Sequence, residues 1–284
     1  MLLWVSLATA GRYDATAPGP GQGGVYLGLS RAHLTTEFWT EGDRERTFVL
    51  PASVTTWTAT GVADFGVSEH LAVRVEVPAV AALATHENER ICSTFGMCDS
   101  LYGLGDVGLQ ARSLLRLRSF DLLGSVEVVS GMGYRHGIDD LAAPGDGNTD
   151  LSAGLTVGRS GTLGSTRWSL AAGTRFEWGL GRPPNALDLG GAASLRRGPV
   201  EVAAELQRYD SLGGLDFNSA TTTAKMADPE RFTVIENDFT QVAPRISAYR
   251  GSWGLHLSAW TLLVVGSGPE DLRGVGIGLS WWTD

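Results

Sequence analysis

The residue pair best suited to catalysis in this sequence is His256 and Ser258. Residues two apart on a β-strand point to the same face, so the imidazole could lie beside the hydroxyl and activate it as a nucleophile. The sequence identifies no third residue that would orient the imidazole. We therefore expect two polar residues on one strand face, and a hydrolase is the alternative.

Two further motifs match only in part. Residues 103–108 read G-x-G-x-x-G, but the residues after them alternate like a strand, so the helix that would complete a phosphate-binding turn is not expected. Residues 146–150 place oxygen-bearing side chains at alternate positions, as calcium loops do, but lack the Gly and Glu that complete such a loop. We therefore predict no cofactor and no metal site.

The two cysteines, Cys92 and Cys98, lie close together among polar neighbours. Such a pair in an exported chain is expected to form a disulfide within a loop. Free thiols are one alternative. A metal site is the other, and it is weaker because only His86 lies nearby as a third ligand, where zinc needs four.

Alternation of apolar and small polar residues is the dominant pattern of the chain. In residues 274–281, GVGIGLSW, every odd position is apolar and every even position is Gly or Ser. Successive side chains of a strand point to opposite faces, so this pattern predicts a strand with one apolar and one polar face. The same pattern recurs in residues 71–77, 151–158, 167–178 and 200–207.

About twelve such segments are present, and a membrane-crossing strand needs roughly 9 to 11 residues. Long polar connections alternate with tight ones, which is typical of outer-membrane barrels. We therefore predict an all-β, antiparallel, up-and-down transmembrane barrel of about 12 strands with both termini in the periplasm. The weaker segments are residues 25–39, 47–66, 104–116, 121–132, 186–196, 234–249 and 252–264.

The chemistry of the two strand faces favours a membrane barrel over a soluble all-β fold. Gly, Ser and mixed charges share one face, which suits a watery lumen, whereas Trp recurs near strand ends on the apolar face, as in an aromatic girdle. The residues predicted to line the lumen are Arg74, Glu76, Asp106, Arg112, Glu127, Arg167, Arg175, Glu177, Glu201, Glu205, His256 and Ser258.

Composition and the amino-terminal residues limit the function further. The net charge of -9 argues against nucleic-acid binding, and no apolar run approaches the ~20 residues of a membrane-spanning helix. Residues 1–10 are apolar and end in Ala-Thr-Ala, which resembles a secretory signal without its basic region. We predict that residues 1–24 are a signal-peptide remnant with a flexible Gly/Pro-rich lead-in and that residues 25–284 form the barrel.

Three stretches carry a family resemblance: residues 103–115 (GLGDVGLQARSLL), residues 130–155 with the run GDGNTDLSAGL, and residues 242–284 with VAPRISAY and GVGIGLSWW. They resemble the outer-membrane transporters found with phenol-degradation (meta-cleavage pathway) genes, which are channels akin to hydrocarbon-uptake barrels. The chain differs from the family pattern at residues 130–133, where SGMG replaces a Pro-Thr-Gly, and at its end, which is Asp284 instead of an aromatic residue.

The sequence therefore predicts a non-enzymatic channel of the bacterial outer membrane for passive passage of small molecules. The resemblance implies small aromatic or other apolar compounds. The alternatives are a lipid-modifying barrel enzyme that uses His256 and Ser258, and a structural or surface-binding barrel with a closed lumen. Expected partners are outer-membrane lipid, small solutes and the barrel assembly machinery.

Overall fold

The computed structural model of the chain is a closed antiparallel β-barrel, as the alternation predicts. It describes Tyr13 and residues 15–35, 38–39, 46–47, 52–86, 100–131, 149–180, 185–212, 238–269 and 271–283. The first wall strand pairs with the last one, with Leu29 opposite Ile277, and this pairing closes the barrel. Among the described residues, no helix is long and apolar enough to cross a membrane.

Twelve strands form the wall. The strands are β1 (Gly23–Thr35), β2 (Phe38–Trp39), β3 (Arg46–Thr47), β4 (Ala52–Gly66), β5 (Leu71–His86), β6 (Ser100–Leu104), β7 (Val107–Arg116), β8 (Asp121–Ser130), β9 (Thr149–Leu163), β10 (Thr166–Gly179), β11 (Ala186–Arg197), β12 (Val200–Ser211), β13 (Asp238–Arg250), β14 (Trp253–Pro269) and β15 (Leu272–Trp282). Strands β6 and β7 count as one wall strand because both pair with β5, on either side of a bulge, whereas β2 and β3 form a small hairpin that pairs with the end of β14.

The two faces of the wall have the polarity that the sequence predicts for a membrane barrel. Large apolar side chains point outward: Leu27 is 61% exposed and Val275 is 60% exposed. Polar side chains point inward: Arg112 is only 5% exposed and His256 only 6%. A soluble barrel would bury its apolar face instead. The outward apolar face therefore confirms the predicted barrel class.

Tight turns gather at one end of the barrel, which we call the short-turn end. Gly198 and Gly251 occupy two of these turns with φ of 59° and 58°, a left-handed backbone conformation that glycine adopts without strain. Trp253 and Trp281 lie directly opposite each other beside this end, and both point outward. Aromatic side chains at this level are typical of a membrane interface.

Candidate functional site

The barrel interior brings together the residues predicted to line a lumen. Eleven of the twelve are buried or half-buried there: Arg74, Glu76, Asp106, Arg112, Glu127, Arg175, Glu177, Glu201, Glu205, His256 and Ser258. Arg167 is exposed and lies three residues after the tight-turn glycine Gly164. Cys92, Cys98 and residues 146–148 lie outside the described residues.

One interior cluster places a single carboxylate between two guanidinium groups near the short-turn end. Arg74 donates to Asp64 Oδ2 through Nη2 at 2.8 Å and to Oδ1 through Nε at 3.1 Å, and Arg112 Nη2 also donates to Oδ1. The Asp64 side chain is 4% exposed, so its charge is largely withdrawn from water. The sequence analysis missed Asp64, although its even position on β4 places it on the same face as Thr58 and Thr60.

In a second cluster, one guanidinium group contacts two carboxylates. Arg175 on β10 contacts Glu127 of β8 and Glu177 of its own strand, each at 2.5 Å. Burying a charge is costly unless an opposite charge compensates it, so these pairings allow charged side chains to line a narrow interior. Among the described residues, no group of His, Cys, Asp and Glu side chains could hold a metal ion.

A third cluster lies on the adjoining wall. Glu201 accepts hydrogen bonds from Arg245 and from the Tyr249 hydroxyl, each at 3.4 Å, and the Arg196 guanidinium stacks 4.2 Å from the centroid of the Tyr249 ring. The three clusters lie on different parts of the wall, so fixed charges of both signs surround the lumen.

The structure does not pair His256 with Ser258. His256 Nδ1 lies 2.9 Å from Ser247 Oγ and Nε2 lies 2.8 Å from Ser280 Oγ, which links β13, β14 and β15. Both serines are buried, at 1% and 3% exposure, so a bulky substrate has no access to them. The arrangement links three wall strands, and the contact between His256 and Ser258 that the hydrolase alternative requires is not formed.

Residues before β1 occupy the lumen. We call Tyr13 and residues 15–22 the lumen segment; the sequence analysis assigned them to a flexible lead-in. The segment leaves β1 at the short-turn end, where the Gly21 N–H donates to the Gly66 carbonyl at 2.9 Å. Farther along, Arg112 Nη1 donates to the Thr16 carbonyl at 3.3 Å.

The lumen segment ends on the opposite wall. The Tyr13 hydroxyl donates to Asp188 of β11, which also accepts from Gln207 at 3.0 Å. Gly66 belongs to β4, and β11 is six strands away in a ring of twelve. The segment therefore spans the lumen from one side to the other, and it narrows any path along the barrel axis.

Two wall glycines accommodate the lumen segment. A Cβ on Gly158 would lie 2.4 Å from the Ala15 Cβ, and a Cβ on Gly190 would lie 2.3 Å from the Tyr13 ring. The absent side chains leave the space that the segment fills. In the sequence these glycines are indistinguishable from the other small residues of the polar face, so nothing there identified them as contacts.

The interior also contains an apolar cluster toward the end opposite the short turns. Leu34, Val54, Ala82 and Leu272 are each at most 5% exposed and pack together, with Ala32 and Leu262 against them. This cluster lies on β1, β4, β5 and β15, whereas the Arg175 cluster lies on β8 and β10. The inner wall is therefore apolar at this end of β1, β4, β5 and β15, whereas the charged clusters lie at other places on it.

Comparisons with known proteins support the fold. An outer-membrane channel from Pseudomonas putida F1 superposes with a TM-score of 0.64 at 14% identity, over 96% of this chain and 98% of that one. The transport unit of the autotransporter AIDA-I from Escherichia coli superposes with a TM-score of 0.52 at 9% identity, over 90% and 89% of the two chains. No protein-family model and no curated protein matches the sequence. The chain is therefore similar to outer-membrane barrels in fold.

Proposed function

We propose that this chain is a passive channel of the bacterial outer membrane for small solutes, without enzymatic activity. The observation that carries the proposal is the closed wall with apolar side chains outside and compensated charges inside, since this wall leaves a polar path enclosed by an apolar exterior. In the proposed orientation the short turns and both termini face the periplasm, and the barrel assembly machinery inserts the chain.

We further propose that the solutes are small aromatic or other apolar compounds. The resemblance to transporters found with phenol-degradation genes supports this class. The apolar cluster around Leu34 and Leu272 also supports it, because the interior of a purely hydrophilic pore is lined by polar side chains, whereas an apolar solute can contact apolar ones. The charged clusters elsewhere on the inner wall would keep the remaining path hydrated.

The lumen segment supports a second candidate function, a barrel with a closed lumen that acts in binding or surface structure. Its contacts with both sides of the wall narrow the passage. The two candidates differ in whether solutes cross the barrel while the segment is in place.

Liposome swelling tests the proposal. Purified barrel would be reconstituted into vesicles and challenged with neutral solutes of increasing size, including a small aromatic alcohol, with empty vesicles as the control. Solute entry above the empty vesicles is the expected result. No entry for any solute, with the barrel shown to be folded, would favour the closed-lumen candidate and reject the channel.

The proposed orientation has its own test. A protease-cleavable tag would be fused after Asp284, and protease would be added to intact cells that express this fusion. Cleavage only after the outer membrane is made permeable is expected for a periplasmic carboxyl terminus, whereas cleavage in intact cells would reverse the orientation.

A further inference from the structure

Exposed arginines are concentrated along the short-turn end of the barrel, and we call six of them the arginine belt. They lie near the ends of β7, β9, β10, β11 and β13 or in the turn after β7: Arg116, Arg118, Arg159, Arg167, Arg197 and Arg250. The chain as a whole has a net charge of -9, so this end differs in sign from the average of the molecule.

The belt arginines differ from the interior arginines in their partners. Arg74, Arg112 and Arg175 each contact the carboxylate of an Asp or a Glu. In the described part of the chain, no ion pair involves a belt arginine. Even Arg116, which stands opposite Asp121 in the pairing of β7 with β8, forms no ion pair with it. The positive charge of the belt is therefore available to an anion from outside the chain.

The belt lies at the level of the membrane interface. Arg250 is paired with Trp253, whose side chain points outward beside the short-turn end. Arg197 ends β11 two residues after Leu195, which is 60% exposed on the outward face. An arginine at such a position places its apolar part against the acyl chains of the bilayer and its guanidinium group in the headgroup layer.

Exposed apolar side chains lie among the belt arginines. Residues 115–120 read LRLRSF, and in this stretch Leu117 is 42% exposed and Phe120 is 41% exposed. Leu163, the last residue of β9, is 79% exposed. A soluble anion offers these apolar side chains no contact, whereas a lipid offers acyl chains next to its phosphate. The combination therefore favours a lipid as the anion.

We infer that the arginine belt binds the phosphate groups of anionic phospholipids in the leaflet around the short-turn end. The planar guanidinium group donates two parallel hydrogen bonds to phosphate oxygens, while the neighbouring Leu and Phe side chains contact the acyl chains. In the proposed orientation of the barrel this leaflet faces the periplasm. The inference goes beyond the passage of solutes, because it concerns the outer surface of the wall and does not depend on an open lumen.

Native mass spectrometry of the barrel in a neutral detergent tests the inference. Phosphatidylglycerol and phosphatidylcholine with identical acyl chains would be titrated separately, and the two dissociation constants compared. We expect the barrel to bind phosphatidylglycerol at least about 5-fold more tightly, the effect of roughly one arginine near a membrane surface. Raising the salt to about 1 M should reduce this preference, because salt screens exposed charges.

The double variant Arg116→Gln/Arg118→Gln removes two belt arginines and should lower the preference at least about 2-fold, while the other four continue to bind lipid. The matched control is Arg31→Gln/Arg273→Gln, which removes the same charge from exposed positions on β1 and β15 farther from the short turns. It should leave the preference unchanged. Migration of the unheated samples in gel electrophoresis would verify that each barrel is folded.

Four results would overturn the inference. One is equal binding of the two lipids by the unmodified barrel, a result that needs no variant. Another is an unchanged preference in the folded Arg116→Gln/Arg118→Gln barrel. An equal loss in the control variant would show that net charge, and not the belt, sets the preference. Displacement of phosphatidylglycerol by an equal concentration of inorganic phosphate would assign the belt to soluble anions.

Discussion

A methyl group added at Gly158 should displace the lumen segment, because Gly158 lies against Ala15 of that segment. In Gly158→Ala the new Cβ would lie 2.4 Å from the Ala15 Cβ, whereas ordinary contacts begin at 3.4 Å. The nearest wall atom, the Leu170 carbonyl oxygen, is 3.6 Å away, which is ordinary contact. The substitution therefore strains the lumen segment and spares the wall.

The magnitude follows from the overlap. Relieving it requires a shift of the segment by about 1 Å, and overpacking of this kind costs roughly 1 to 3 kcal/mol if the segment stays in place. An energy of that size changes the ratio of displaced to docked segment by about 5- to 150-fold. We expect Gly158→Ala to increase single-channel conductance in planar lipid bilayers and to speed liposome swelling.

The double variant Gly158→Ala/Ala15→Gly removes the colliding methyl group and should restore the original conductance. Gly124→Ala is the matched wall control, because a Cβ there has no atom within 4 Å. Migration of the unheated sample in gel electrophoresis would verify that each barrel is folded. A folded Gly158→Ala barrel with unchanged conductance would refute the view that the lumen segment limits the passage.

Three other substitutions test the wall and its interior, each by urea unfolding of the reconstituted barrel. Asp64→Asn removes the carboxylate that contacts two buried guanidinium groups and should cost about 3 to 5 kcal/mol; a loss below about 1 kcal/mol would mean that other groups or water already compensate their charge. Leu29→Arg places a charge on the outward apolar face and should cost about 2 to 4 kcal/mol, more than Thr60→Arg on the inner face; equal costs would contradict the assignment of the faces. The pairing of β13 with β14 skips Pro244, which has no backbone N–H to donate. Pro244→Ala restores this donor and should stabilise the barrel by about 1 kcal/mol; an unchanged free energy of unfolding would contradict this expectation.

The sequence predicted the strands well because strand periodicity is local. The alternation in residues 274–281 belongs to β15, which runs from Leu272 to Trp282, and the predicted segment 121–132 became β8, from Asp121 to Ser130. Alternation is less informative where a strand extends beyond its alternating part, as in β5, which continues to His86 although the alternation is clear only in residues 71–77. The extension has small and apolar residues on both faces, so the two-residue period of a strand is not visible in its sequence.

The partners inside the lumen could not be predicted in the same way. Alternation assigns a residue to a face but does not say which side chain lies opposite it across the lumen. Arg112 was predicted to line the interior, yet its contacts with Asp64 and with the Thr16 carbonyl join residues 48 and 96 positions apart. His256 was paired by strand spacing with Ser258, whereas its nitrogens contact serines of the two neighbouring strands.

By itself, the sequence determined the strand count, the polarity of each face and the barrel class, because these depend on side-chain chemistry repeated every second residue. Only the tertiary structure decided what the enclosed space contains. Closing the wall brings β4 and β11 to opposite sides of one lumen, where Tyr13 can reach Asp188 and Ala15 can lie against Gly158. Such contacts depend on strand register and closure around the ring, which no local pattern encodes.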